Sequence, residues 1–152
     1  MAPNYVLYSV PIYWALALWP HAYAMRIMKS ANNNKFDNVN PRGSEASAKY
    51  QKAIPAAVYT RFERAEAAHK NALESAPLFI GAVLAGTVVG LPAGFLNAAI
   101  GSYLGLRIVY TALYINVTTR KYSFARTLTW AASTLLLFGI YIKAGNKTIA
   151  QN

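Results

Sequence analysis

The chain has no cysteine, which excludes disulfides, thiolate nucleophiles and thiolate metal sites. Histidine is almost absent as well: His21 and His69 are too few for a histidine-based metal centre, and no metal is expected. Carboxylates are confined to Asp37, Glu45, Glu63, Glu66 and Glu74, so the stretches before position 37 and after position 74 carry no acidic side chain. Charge of either sign is sparse at 13% of residues, against roughly a quarter in soluble domains, while 55% of residues are hydrophobic. These proportions describe an integral membrane protein, and 152 residues make one domain, 1–152.

Four apolar stretches each approach the ~20 residues that cross a hydrocarbon core: Tyr5 to Met25, Ala72 to Gly90, Gly94 to Asn116 and Phe124 to Ile142. Lipid offers no partner to unpaired backbone groups, so each must be helical. The expected architecture is an all-α transmembrane four-helix bundle, with helices over about residues 5–25, 60–90, 94–116 and 124–142. From Ser44 to Glu74 alanine is frequent, proline is confined to Pro55, and Glu66 and Lys70 form an i,i+4 pair. A helix therefore starts ahead of the bilayer and continues into it. The short Leu91-Pro92-Ala93-Gly94 connection makes the second and third membrane helices antiparallel neighbours, whereas SANNNKFDNVNPR, from Ser30 to Arg42, reads as a polar surface loop.

Basic residues settle the orientation. Nine lie in or beside the first connection and three, Arg120, Lys121 and Arg126, in the third, so both connections are expected to face the cytoplasm. The net charge of +10 thus belongs mainly to the cytoplasmic edge of the bundle. It suits anionic lipid headgroups and anionic substrates. No nucleic-acid recognition motif accompanies it, and nucleic acid is not expected as a partner. Ala22-Tyr23-Ala24 is similar to a signal-peptidase site, but the segment before it has no basic n-region and is longer than a usual h-region, so it is expected to stay as the first helix. Asn116-Val117-Thr118 and Asn146-Lys147-Thr148 match the glycosylation pattern, though both lie close to an expected membrane edge.

The first helix is rich in tyrosine and tryptophan, and Pro11 and Pro20 are expected to bend or weaken it. Gly86 and Gly90, and Gly101 and Gly105, form two GxxxG pairs suited to close helix contact, within one subunit or between subunits. Between Arg64 and Phe79 the chain reads RAEAAHKNALESAPLF, carrying polar groups straight into an apolar segment. At 100° per residue Arg64 and Asn71 lie about 20° apart around the helix, and Asn71 and Glu74 about 60° apart. In the third segment Tyr103, Arg107, Tyr110 and Tyr114 form a stripe that sets one guanidinium among three phenols. An intramembrane charge costs ~2.5–3.5 kcal/mol on insertion scales and turns inward. Arg107 either pairs with Glu74 to hold two helices together or joins a ligand site. One carboxylate, one carboxamide and several arginines and tyrosines converging near the cytoplasmic helix ends suit a small, polar, polyanionic ligand.

These residues resemble the MAPEG family, the membrane-associated proteins in eicosanoid and glutathione metabolism, over the whole four-helix layout. The most specific part is Ala68-His69-Lys70-Asn71-Ala72-Leu73-Glu74-Ser75-Ala76-Pro77-Leu78-Phe79, similar to the family's second-helix signature. Arg107-Ile-Val-Tyr110-Thr-Ala-Leu-Tyr114 resembles the third-helix pattern, and Arg126-Thr-Leu-Thr-Trp130 the opening of the fourth. Asn40-Pro41-Arg42 and the RAEAAHKN wording are similar to the fungal and bacterial-like branch.

The resemblance implies a homotrimer in an internal membrane, the endoplasmic reticulum, with glutathione as co-substrate bound between adjacent subunits. An apolar small molecule or lipid substrate would arrive from the bilayer. By position, Asn71 and Glu74 would hold the peptide and the γ-glutamyl amino group, Tyr110 and Tyr114 would line the site, and Arg26 would match a basic position there. Arg64 and Arg107 complete the candidate binding set. Arg126 would stabilise the glutathione thiolate, with Arg120 as its competitor, and His69 is expected to be a bystander. Members usually carry arginine four residues before the motif asparagine, where this chain has Ala67. The implied activity is glutathione transfer or peroxide reduction; the alternatives are a biosynthetic isomerase or cyclase acting on a lipid-like metabolite, or a non-catalytic lipid-binding or scaffold protein.

Overall fold

The computed structural model describes residues 3–40 and 43–151; Pro41 and Arg42, which belong to the Asn40-Pro41-Arg42 stretch noted above, lie outside the described residues. After a 3-10 turn at Val6–Tyr8 come α1 (Ser9–Ala31), α2 (Ser44–Ala53), α3 (Ala56–Val88), α4 (Ala93–Asn116) and α5 (Arg120–Gln151). The all-helical architecture forms, with one more helix than the four expected. Helix α2 is separated from α3 at Pro55, because a proline ring disfavours helical backbone in the residue before it. Ile54 accordingly sits extended, at φ −120° and ψ 158°. The detached α2 carries Glu45 in its first turn and Lys52 in its last, each at the dipole end it stabilises.

Helices α3, α4 and α5 are long and apolar enough to cross a membrane. Helix α1 has the length, at 23 residues, but is not among them, since Tyr13, Trp14, Trp19, Pro20, His21 and Tyr23 take the place of aliphatic side chains. At 1.5 Å per residue α3 is about 50 Å long, well beyond the ~30 Å hydrocarbon core, so one end of it stands outside the lipid. Of the two prolines in α1, only Pro20 lies in the helix interior. Pro11 falls in the first turn, where an N–H would have no helical acceptor in any case.

Two turns fix the directions of the rods. Asn33 and Asn34 adopt left-handed backbone, φ 50° and 59°, and reverse the chain after α1. Gly90, at φ +67°, ends α3, and the Leu91 N–H donates back to the Gly86 carbonyl at 2.9 Å. Lys147, near the end of α5, donates to the Gly90 carbonyl at 2.5 Å and pins the same turn.

Helix α1 lies chiefly against α3, and α4 chiefly against α5. Two apolar clusters hold the bundle. One joins the start of α1 to later α3, early α4 and later α5 through Tyr13, Phe79, Leu96, Tyr103 and Ile140. Its centre is a run of rings, Tyr13 on Phe79 at 4.4 Å and Phe79 on Tyr103 at 4.9 Å between centroids. The other joins the end of α1 to α2, early α3 and the end of α4 through Met28, Tyr50, Tyr59, Phe62 and Ile115. Between the clusters lie residues 66–75 of α3 and 104–114 of α4, where the polar side chains collect. Gly86 packs against Leu96 and Ile140 within the subunit, whereas Gly101 and Gly105 face open space.

Phe79 is fully buried at the centre of the ring stack. Phe79→Ala is expected to cost about 3–5 kcal/mol, read as a lowered midpoint in detergent-denaturation curves followed by circular dichroism.

Candidate functional site

Arg107 is a deeply buried charge among the described residues. It is 4% exposed, and its Nη2 donates to Asn71 Oδ1 at 3.0 Å. The Tyr110 ring, one turn further along α4, covers the guanidinium at 4.7 Å from its centroid. The pairing with Glu74 considered from the sequence does not form: Glu74 is exposed, and the ion pair among the described residues joins His21 to Glu66. A neutral amide therefore holds the buried cation.

The stripe continues toward the end of α4. Tyr110 and Tyr114 meet edge to face at 5.6 Å, and the Arg126 guanidinium of α5 lies over the Tyr114 ring at 4.3 Å. Asn71, Tyr110, Tyr114, Arg126, Thr127 and Trp130 line a cavity of about 240 Å³. A second cavity of about 220 Å³ shares Asn71 and Trp130 with it and adds Glu74, Ser75, Tyr103 and Arg107. Asn71, Glu74, Arg107, Tyr110, Tyr114 and Arg126 thus meet along one cleft between α3, α4 and α5. The Tyr103 hydroxyl is buried without a hydrogen-bond partner of good geometry.

Two candidate binding residues, Arg64 and Arg26, are elsewhere. Arg64 Nε donates to the Ile115 carbonyl at 2.9 Å, and Arg61 Nη2 donates to Asn116 Oδ1 at 3.0 Å. Both cations serve the exposed C-terminal end of α4, where unpaired carbonyls and the helix dipole favour positive charge. Arg26 is exposed and lines neither cavity. Of the two arginines considered for the thiolate, Arg126 borders the cleft, while Arg120 is the exposed first residue of α5. Because α5 starts at Arg120 rather than near Phe124, Arg126 sits in its second turn. The i,i+4 spacing of Arg126 and Trp130 puts both on one face of α5, toward the cleft.

The opposite flank of α3 carries a second polar group. His21 Nδ1–H donates to Glu66 Oε1 at 2.6 Å, and His69 Nδ1–H donates to the Ala17 carbonyl at 2.7 Å. The two imidazoles lie 5.1 Å apart. His69 is thus a buried tie between α3 and α1, on a carbonyl one turn before Pro20. Ala67 faces this side, in a cleft of about 490 Å³ that it shares with His21, Glu66 and Lys70.

The model of the MAPEG family matches residues 5–146. The chain belongs to the MAPEG family. No curated protein and no solved structure matches it significantly. MAPEG proteins are embedded in membranes, bind glutathione and lipids, and include glutathione transferases, peroxidases and isomerases. The three apolar helices of this MAPEG chain accord with that setting.

Replacing Asn71 strips the buried guanidinium of its acceptor. Asn71→Ala is expected to destabilise the protein by about 1–3 kcal/mol, whereas Glu74→Ala, at an exposed position, should stay within about 0.5 kcal/mol. Detergent-denaturation curves of the two variants side by side check the difference.

Proposed function

We propose that the cleft between α3, α4 and α5 binds glutathione and presents its thiolate to an apolar electrophile or lipid hydroperoxide arriving from the bilayer. The observation that carries this reading is the convergence of Asn71, Tyr110, Tyr114 and Arg126 on one cavity, with Arg126 stacked over Tyr114. Each group answers a part of the tripeptide. Asn71 can pair with peptide amides, Glu74 can accept the γ-glutamyl ammonium, Arg107 can meet a carboxylate, and the phenols can satisfy remaining carbonyls.

Arg126 is the catalytic candidate. Glutathione's thiol is mostly protonated at neutral pH, and a fixed guanidinium beside the sulfur favours the thiolate. In conjugation the sulfur attacks carbon, a C–S bond forms, and the leaving group departs with its electron pair. In peroxide reduction the sulfur attacks the distal oxygen and the O–O bond breaks. The alcohol leaves, and a second glutathione converts the sulfenic acid to the disulfide and water. Arg26 and Arg64 stand apart from the cleft and would reach the ligand only across a subunit boundary, which a homotrimer provides. The basic first and third connections support a site near the cytoplasmic face, and the family resemblance supports the endoplasmic reticulum as the membrane.

Stopped-flow ultraviolet detection on mixing the purified protein with glutathione should show thiolate formation. Arg126→Ala should reduce the thiolate yield about tenfold or more, the equivalent of one pKa unit, while Arg120→Ala should leave it unchanged. Absence of both thiolate signal and glutathione affinity overturns the reading. Binding without turnover of electrophiles or hydroperoxides favours the scaffold alternative, and glutathione-independent conversion of one metabolite favours an isomerase.

A further inference from the structure

The cavity of about 490 Å³ on the other flank of α3, between α1, α2 and α3, is larger than either part of the cleft that holds Asn71 and Arg126, and it shares no residue with that cleft. Its lining includes a carboxylate–imidazole pair. Glu66 Oε1 can only accept, so His21 donates to it from Nδ1 at 2.6 Å, and in the neutral ring Nε2 is left as the basic nitrogen. Among the described residues Nε2 has no hydrogen-bond partner. The ring of His69, itself tied to the Ala17 carbonyl, backs that of His21 at 5.1 Å. The His21 side chain keeps 30% of its surface exposed, so a small molecule in the cavity can reach it.

The neighbouring groups narrow the chemistry. Ser47 lines the cavity, but its hydroxyl pairs with Tyr59 at 2.7 Å rather than with an imidazole, so the geometry activates no nucleophile. Two proton donors remain. The Tyr50 oxygen accepts the Asp37 N–H and its own proton goes to no described residue, and Lys70 forms no ion pair with Glu63 or Glu66. One base together with donors able to hold an oxyanion is the set that removes a proton from the carbon beside a carbonyl. The lining carries two carboxylates, Glu63 and Glu66, against one ammonium, Lys70, a formal charge of −1 that disfavours anionic substrates. Met25, Phe62 and Leu73 supply apolar walls.

We propose that this cavity is a second, glutathione-independent site that enolises neutral, mainly apolar ketones and aldehydes. His21 Nε2 takes a proton from the carbon beside the carbonyl, the C–H electron pair becomes the C=C bond of the enolate, and the negative charge moves to oxygen, held by Tyr50 and Lys70. Return of the proton from the imidazolium to carbon restores the carbonyl compound, and no co-reactant is consumed. Glu66 is a positioning residue that fixes the ring and tautomer of His21. Because the two sites have no residue in common, either reading can fail without the other.

The full-length protein in detergent micelles is incubated in heavy water with acetophenone and no glutathione, and deuterium entry into the methyl group is followed by nuclear magnetic resonance. Exchange should exceed the buffer rate at least about a hundredfold, as general-base catalysis supplies. His21→Ala should remove that gain, and added imidazole should restore part of it. Glu66→Gln should lower kcat about tenfold with KM unchanged, as expected for an interaction that acts on the reacting base alone. Ala67→Trp, which fills the cavity, should block exchange without change in circular dichroism, and saturating glutathione should leave wild-type exchange as it is. Acetylbenzoate, the same ketone with a carboxylate added, should exchange about tenfold more slowly, the equivalent of 1.4 kcal/mol. Exchange at the buffer rate, exchange that survives His21→Ala or Ala67→Trp, loss in His21→Ala without rescue by imidazole, suppression by glutathione, or equal rates for the two ketones would each overturn the proposal.

Discussion

The contact between Arg107 and Asn71 governs the middle of the bundle. Arginine cannot shed its charge in a protein, so once its guanidinium is buried it must be satisfied where it stands. One acceptor, the Asn71 carbonyl, and one aromatic face, Tyr110, do this without a carboxylate. The hydrogen bond sets the register of α3 against α4. With that register in place, Glu74 and Ser75 border the same cavity as Tyr103, and Tyr110 and Tyr114 line up beneath Arg126 of α5. The apolar clusters on either side bury the contact and make its geometry consequential.

Helix α3 is polar on two flanks at once. Glu66 and Asn71 are about 140° apart around the axis, so their side chains serve different neighbours. Glu66 and His69 turn toward α1, where they meet His21 and the Ala17 carbonyl. Asn71 and Glu74 turn toward α4 and α5. The segment that reads as one polar run in the sequence is therefore divided between two clefts, and Ala67 belongs with the α1 flank. A larger side chain at 67 would enter that cleft, and the absence of arginine there leaves His21, Glu66 and Lys70 as its charged or titratable lining together with Glu63 and His69.

Much of this was legible beforehand because it depends on periodicity. The stripe Tyr103, Arg107, Tyr110 and Tyr114 follows from helical spacing alone, and an intramembrane arginine must turn inward whatever it meets. The Asn71 and Glu74 spacing is of the same kind. What Arg107 meets was not legible, since Asn71 and Glu74 are both within reach of a helix packed alongside. Arg64 illustrates the limit differently. Its angular position agrees with Asn71, yet α3 runs past the end of α4 at that level, and the unpaired Ile115 carbonyl there claims the guanidinium. His21 gave no local signal at all, because its partner is 45 positions away on another helix.

The amino-acid sequence by itself determined that the chain is helical, that it suits a membrane, and which residues share a helical face. These are consequences of hydropathy and of the 3.6-residue turn, and both act along the chain. The break at Pro55 is equally local, although alanine-rich surroundings obscured it. Only the tertiary structure decided which face meets which neighbour: amide rather than carboxylate for Arg107, and a helix end for Arg64. Those choices rest on the relative heights and rotations of packed helices, which close packing fixes and no single segment encodes.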